Sequence, residues 1–168
     1  ILEKAGILSK INPRQFADYQ IQDIAKARLL FQSLRESDTS NYKAWVASAR
    51  LEELSGRAQE ALRILNNGSA LNPLSEDIYV ELVRLSPKTK REAILNRALK
   101  FLPHSHVLWQ LKAANESDKG EKLAVTLKAL EFCKSVEALW RQAVDLTDSD
   151  EQKRALLADA VRNVPESV

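Results

Sequence analysis

A large aromatic residue recurs at nearly equal intervals along this chain of 168 residues, and that spacing constrains the fold more than any other feature. The aromatics are Trp45, Tyr79, Trp109 and Trp140, which lie 34, 30 and 31 residues apart. Two helices of about 12 residues each, with two short turns, fill such an interval. The spacing therefore predicts tandem helix pairs, with one of these aromatics as a structural anchor in the first helix of each pair.

A second marker with the same period falls between the aromatics. Ala98, Ala129 and Ala160 lie 31 residues apart, each in a segment rich in Ala and Leu. Small residues let neighbouring helices approach closely, whereas the aromatics fill the space within a pair. Because two independent markers share one period, we predict that the pairs stack as a repeat array and do not close into a bundle.

Turn residues fix the helix boundaries. Gly56, Pro87, Asp118 and Asp148 stand between the two helices of successive pairs, where a helix must stop. The first helices of the pairs are predicted at 41–55, 75–86, 105–116 and 136–147. The second helices are predicted at 57–71, 89–102, 120–133 and 149–163, after an unpaired helix at 23–35. No segment alternates apolar and polar residues as a strand does. The predicted fold class is all-α, a right-handed superhelical solenoid of antiparallel helix pairs.

The repeats predict the domain organisation. We expect residues 1–22 to be a leader of uncertain structure and residues 23–168 to be the repeat array, about four and a half repeats that are truncated at the C-terminus. The chain starts at Ile1 and contains no Met, so we expect it to be a piece of a longer protein.

Composition argues against several classes of protein. The 25 Lys and Arg residues nearly balance the 23 Asp and Glu residues, which leaves a net charge of +2. A domain that wraps nucleic acid is expected to be strongly basic. No apolar segment approaches the ~20 residues that span a bilayer, so no membrane role is expected. Cys133 is the sole cysteine, which favours a reducing compartment over a disulfide scaffold.

The sequence contains no recognisable catalytic or metal-binding constellation. His104 and His106 are the only histidines and stand beside a proline, with Cys133 far along the chain. A zinc site needs about four ligands at closer spacing, and no Gly-rich phosphate loop is present. We therefore expect no catalytic residue, metal, cofactor or small-molecule substrate, and the chain is predicted not to be an enzyme.

One basic segment departs from the even charge balance. Between positions 84 and 100 there are six bases and one acid, Glu92, a local charge of +5. The bases are Arg84, Lys88, Lys90, Arg91, Arg97 and Lys100. They form either a solvated helix face or a docking patch for an acidic protein segment or an RNA backbone. We favour the protein partner, because the rest of the chain adds no further basic surface. The tryptophans could stack on bases, but their repeat positions favour the core.

The repeats resemble a known family. A glutamate follows the aromatic by seven residues in Trp45/Glu52 and Trp109/Glu116, and an Ala-rich helix and a proline come next. This pattern resembles the half-a-tetratricopeptide, or HAT, repeat of RNA-processing complexes. Segments 23–30 and 44–53 are similar to the opening repeats of the pre-mRNA-processing factor six family, and the likeness extends to residue 168.

The resemblance implies a function. Members of this family are scaffolds of the spliceosomal tri-snRNP in the nucleus, bridging snRNPs without chemistry of their own. The implied partners are other spliceosomal snRNP proteins, with contact to the snRNA backbone as a further expectation. The alternative is a direct RNA-binding repeat protein of another RNA-processing complex, which would use the basic segment as its footprint.

Overall fold

The computed structural model describes residues 13–164, with side chains from Gln22 onward, and every regular element in this range is an α-helix. The helices are α1 (Pro13–Ser37), α2 (Tyr42–Leu54), α3 (Ala58–Leu71), α4 (Glu76–Leu85), α5 (Lys88–Phe101), α6 (His106–Asn115), α7 (Lys119–Phe132), α8 (Glu137–Leu146) and α9 (Asp150–Asn163). Short turns join them, so consecutive helices that pack together run antiparallel. The predicted all-α fold of tandem helix pairs is confirmed.

The predicted helix boundaries agree with α2 to α9 to within one residue at each end. The exception is α1, which begins at Pro13 and not at Asp23. Proline is favoured at the first position of a helix because its missing N–H has no intrahelical partner there. Residues 1–12 of the predicted leader and residues 165–168 lie outside the described range.

Local chemistry explains where the helices start and stop. The Ser105 side chain accepts a hydrogen bond from the backbone N–H of Leu108 at 3.2 Å, and Asp118 caps α7 in the same way through Glu121 at 3.0 Å. These bonds satisfy N–H groups that the helix leaves without partners. Gly56, after α2, has a φ of 76°, a left-handed conformation that glycine adopts without steric penalty. The predicted turn positions are therefore the observed ones.

The chain divides into two compact units, and the first comprises Ile1–Asn72. Here α2 packs against both α1 and α3. Ala49, Ala61 and Leu65 are almost completely buried at the centre of these contacts. Gly68 lies directly against the Trp45 side chain, where a larger residue would be crowded.

The second unit comprises Pro73–Val168. Each helix from α4 to α9 packs against the next one, and α4 also contacts α6, the first helix of the following pair. This sequence of neighbour contacts is the packing of a repeat array. The α9 helix has no buried residue, and its Leu157 and Val161 side chains are 52% and 57% exposed.

Candidate protein-interaction surface

The four anchor aromatics lie in the cores of their units. Trp45, Tyr79, Trp109 and Trp140 are 7%, 1%, 4% and 8% exposed. Stacking on a nucleic-acid base needs an exposed aromatic ring. These four buried side chains therefore cannot stack on bases. These residues therefore shape the repeats, and a partner surface must be sought among the exposed side chains.

Two of the six predicted patch residues serve the fold. Arg84 pairs with Glu81 one turn earlier on α4 at 2.9 Å. Arg91 is half-buried and donates from its Nε to the carbonyl oxygen of Ser86 at 2.9 Å, which satisfies a group at the end of α4. Glu81, which precedes the counted segment, thus compensates one of the charges counted from sequence, and Arg91 is held against the end of α4.

Three other bases share the outward side of α5. Lys90, Arg97 and Lys100 are exposed, and we call them the α5 outer face. The buried side chains of the helix, Leu95, Ala98 and Leu99, lie on the opposite side, as the periodicity of a helix requires.

The remaining patch residue and Arg97 have contacts within the second unit. Lys88 is exposed but turns towards α6 and α7, where its Nζ bonds the Ser117 hydroxyl at 2.6 Å. The Arg97 guanidinium lies 6.0 Å from the centre of the Tyr79 ring. The ammonium groups of Lys90 and Lys100 have no hydrogen-bond or ion-pair partner within residues 22–164. Their charges are therefore available to a partner.

The electrostatics of α5 differ from those of the other second helices. Its first turn contains no acid, and its N-cap residue, Pro87, provides no side-chain cap. The first turns of the others carry acids, namely Glu60 in α3, Glu121 in α7, and Asp150 and Glu151 in α9. A helix N-terminus carries about half a positive charge, which acids offset and bases reinforce. No acid of its own first turn therefore offsets the positive N-terminus of α5.

The equivalent positions show that this charge is particular to α5. Lys90 is the third residue of its helix, and the third residues of α3, α7 and α9 are Glu60, Glu121 and Gln152. The repeat pattern does not require a base at this position.

The histidines and the cysteine form no metal centre in the described residues, which contain no group of three or more His, Cys, Asp or Glu side chains that could hold an ion. His104 Nδ1 lies 2.9 Å from the carbonyl oxygen of Phe132, and the Cys133 thiol donates to the carbonyl oxygen of His104 at 3.3 Å. Burial raises the pKa of Cys133. These contacts join neighbouring repeats. Between residues 13 and 164, no helix combines the length and apolarity that crossing a membrane requires.

A further site was not identified from the sequence. In the first unit a cavity of about 410 Å³ is lined by Arg28, Arg35, Arg57 and Arg63, which come from α1, from α3 and from the turn before α3. Their spacing along the chain shows no common period, so no sequence pattern marks them as one cluster.

Comparison with known proteins gives relatives but no family model, since none matches the chain. The chain is 37% identical to human pre-mRNA-processing factor 6 over 121 residues, which is 70% of this chain and 13% of that protein. It is 31% identical to the Arabidopsis thaliana protein STABILIZED1 over 162 residues, 96% of this chain and 16% of that protein. The chain thus spans only about a seventh of the length of these relatives.

Solved structures show the same fold at low sequence identity. A crystal structure of MamA matches 88% of this chain and 86% of its own length, with a TM-score of 0.53 and 11% identity. This likeness concerns the helical architecture alone.

Proposed function

We propose that this chain is a non-catalytic protein-interaction scaffold in pre-mRNA splicing. The premise is that its sequence places the chain in the pre-mRNA-processing factor 6 family. In the nucleus it bridges snRNPs of the tri-snRNP by binding other spliceosomal snRNP proteins. Two findings support this proposal. The relatives carry splicing-factor names, and stacked helix pairs present extended surfaces to partners.

The α5 outer face is the proposed docking surface. The observation that supports it is the base at the positive end of α5, where the equivalent helices carry an acid or an amide. A base at this end of a helix lowers stability by about 0.3–1 kcal/mol, so folding does not account for it. An acidic partner would compensate both the side chains and the helix end.

The charge distribution favours a protein partner over RNA. An RNA strand carries a charge at every nucleotide, and its affinity grows with the number of phosphates that are neutralised. The α5 outer face offers three bases, and in the next second helix the equivalents of Lys90 and Lys100 are Glu121 and Glu131. These acids repel a continuing polyanion, whereas a short acidic protein segment fits a small isolated patch.

The proposal is tested by charge reversal at the surface. The variant Lys90→Glu, Arg97→Glu, Lys100→Glu is compared with the unaltered chain in capture from nuclear extract, with the recovered snRNP proteins quantified by mass spectrometry. A matched control, Lys128→Glu, Lys134→Glu, Arg154→Glu, applies the same charge change to three exposed bases elsewhere in the second unit.

The outcomes separate the alternatives. We expect the α5 variant to lose at least about tenfold in recovery, equivalent to about 1.4 kcal/mol, and the control to retain its partners. Equal recovery from both variants contradicts the docking surface. Absence of snRNP proteins from the unaltered capture contradicts the scaffold itself. Direct binding to oligouridylate RNA that weakens steeply with salt and is lost in the α5 variant supports the RNA-binding alternative.

A further inference from the structure

The cavity of the first unit, which lies among α1, α2 and α3, gathers positive charge from separate parts of the chain. Its volume is about 410 Å³, and its lining includes Arg28, Arg35, Arg57 and Arg63. All of the lining residues belong to Ile1–Asn72, so this cavity is separate from the α5 outer face.

Three of the four arginines are paired with the carboxylates of Glu52 and Glu60 in the cavity. Arg28 donates through Nε and a terminal nitrogen to the two carboxylate oxygens of Glu52, which is 3% exposed. Arg57 reaches the same carboxylate at 3.1 Å. Arg63 binds both oxygens of Glu60, at 2.8 and 2.6 Å. Such two-point pairs hold the guanidinium groups in fixed positions.

Arg35 lacks a carboxylate partner of this kind. Its Nε is buried and has no hydrogen-bond partner in the described part of the chain. The guanidinium carbon lies 5.0 Å from the centre of the Trp45 ring. Burial, followed by the neighbouring charge of Arg63, lowers the pKa of Arg35. A guanidinium remains charged in proteins, so Arg35 is a partly desolvated cation whose Nε–H has no acceptor in the described residues.

We propose that this cavity binds one carboxylate of an acidic segment in a partner protein, with the Arg35 guanidinium as the hydrogen-bond donor. An Arg–carboxylate pair is planar and often forms through two parallel bonds. The Trp45 ring packs against the Arg35 guanidinium, and the Glu52 and Glu60 pairs hold the other arginines in place. The site is therefore organised before a ligand arrives.

The acids of the cavity determine which ligand fits. Glu36, Glu52 and Glu60 line it together with the four arginines, which leaves a residual charge of about one. One carboxylate compensates that charge, whereas consecutive phosphates of a nucleic acid would meet the three glutamates. Ile64 and Leu71 also line the cavity, and Leu71 is 55% exposed. The ligand is thus an acidic residue with an apolar neighbour.

This inference rests on the proposed function only in taking the occupant to be a protein segment. It concerns a different unit of the chain and a different set of bases from the α5 outer face. Loss of snRNP capture with retained peptide binding would overturn the proposed function alone.

The test uses the full chain and a defined probe. A short fluorescein-labelled peptide that alternates Glu and Leu is titrated with protein, and its Kd is measured by fluorescence anisotropy. A peptide with Gln in place of Glu reports the contribution of the carboxylate. The variants are Arg35→Gln, which removes the donor, and Gln32→Glu, which replaces an amide of the cavity lining that bonds Glu36 with a carboxylate one turn from Arg35. Arg154→Gln on α9 is the control.

We expect the Glu peptide to bind at least about tenfold more tightly than the Gln peptide. Arg35→Gln and Gln32→Glu should each weaken the Glu peptide by a similar factor, and Arg154→Gln should leave its Kd unchanged. If the Arg35→Gln protein proves unfolded in thermal denaturation, the Kd of the Glu peptide for the Gln32→Glu variant decides the test. The proposal is overturned if the Glu peptide does not bind, if both peptides bind equally, if Gln32→Glu binds normally, or if oligouridylate displaces the peptide.

Discussion

The indole Nε1 of Trp109 donates a hydrogen bond to the carbonyl oxygen of Pro103, 2.8 Å away. Trp45 and Trp140 make the same bond to the residues six positions before them, Thr39 at 3.0 Å and Lys134 at 2.7 Å. In each case the acceptor lies in the turn that leads into the helix of the tryptophan. The recurring residue thus fills the core of its repeat and also holds the preceding turn in place, and phenylalanine could do only the first.

Replacement of Trp109 separates these two roles. The side chain is 4% exposed and stacks on Phe132 with the ring centres 5.7 Å apart. Trp109→Ala should lower the free energy of unfolding by about 3–5 kcal/mol, the range for emptying a large aromatic site. Trp109→Phe keeps a ring but leaves the Pro103 carbonyl without its donor, which costs about 1–3 kcal/mol. Urea denaturation of both variants measures the difference, and a stable Trp109→Ala protein would contradict the anchor role.

A glycine in α3 should not tolerate a methyl group. Gly68→Ala places a Cβ 3.0 Å from Cβ and Cγ of Trp45, whose buried ring and indole bond leave it little room to move. Alanine favours a helix interior by about 1 kcal/mol over glycine, yet we expect a net loss of about 1–3 kcal/mol from overpacking.

Gly120 provides the comparison for this substitution. Its added Cβ would meet only Asp118 Oδ2 at 3.0 Å, the end of an exposed side chain, although this oxygen also accepts the cap bond from Glu121. Gly120→Ala should therefore cost less stability than Gly68→Ala in thermal denaturation, because an exposed carboxylate shifts more easily than a buried indole. Equal changes in stability for the two alanine variants would mean that the contact with Trp45 does not limit the size of the side chain at position 68.

Cys133 should make stability depend on alkaline pH. Burial raises the pKa of its thiol, so the folded state favours the protonated form. In an unfolded chain the pKa of a cysteine thiol is about 8.5. The protonated thiol therefore contributes its full stabilisation below about pH 8.5, and this contribution is lost as pH rises towards the pKa of the folded state. Denaturation at pH values from about 7 to 10, under reducing conditions, should show this decline. Cys133→Ala should flatten the curve above about pH 8.5, where the thiol of the unfolded chain begins to ionise, and an unchanged curve would contradict the prediction.

The helix boundaries could be predicted from sequence because their causes are local. Pro87 and Gly56 stop or start helices through their own backbone geometry, and Ser105 caps a helix only three residues away. The spacing of the aromatics predicted the repeat because each Trp packs within its own helix pair. The start of α1 was missed because residues 13–22 carry no repeat marker.

The candidate sites depend on contacts that are distant in the sequence. Arg28 meets Glu52 across 24 residues, and neither residue indicates the other in a periodic pattern. Charge counting also grouped Arg84 and Arg91 with the patch, although one pairs with an acid and the other satisfies a helix end. A count of charges shows where bases occur along the chain but not which of them face solvent.

Replacement of a lysine by glutamate is predicted to change the free energy of unfolding in opposite directions at the two ends of α5. Lys90 lies in the first turn, where a negative charge interacts favourably with the helix dipole, and Lys100 lies in the last turn, where a positive charge does. Lys90→Glu should therefore raise the free energy of unfolding by about 0.3–1 kcal/mol at low salt, and Lys100→Glu should lower it by a similar amount. Thermal denaturation at low and high salt measures both, and the differences should shrink as salt screens them.

Partner binding should not follow these stability changes. Both lysines belong to the α5 outer face, so each reversal should weaken capture of the partner, although one variant is more stable than the unaltered chain and the other less. A protein that binds less well while it is more stable has lost a docking group and not its fold. If Lys90→Glu instead retained its partner while Lys100→Glu lost it in proportion to stability, the binding defect would reflect folding, and the α5 outer face would not be the docking surface.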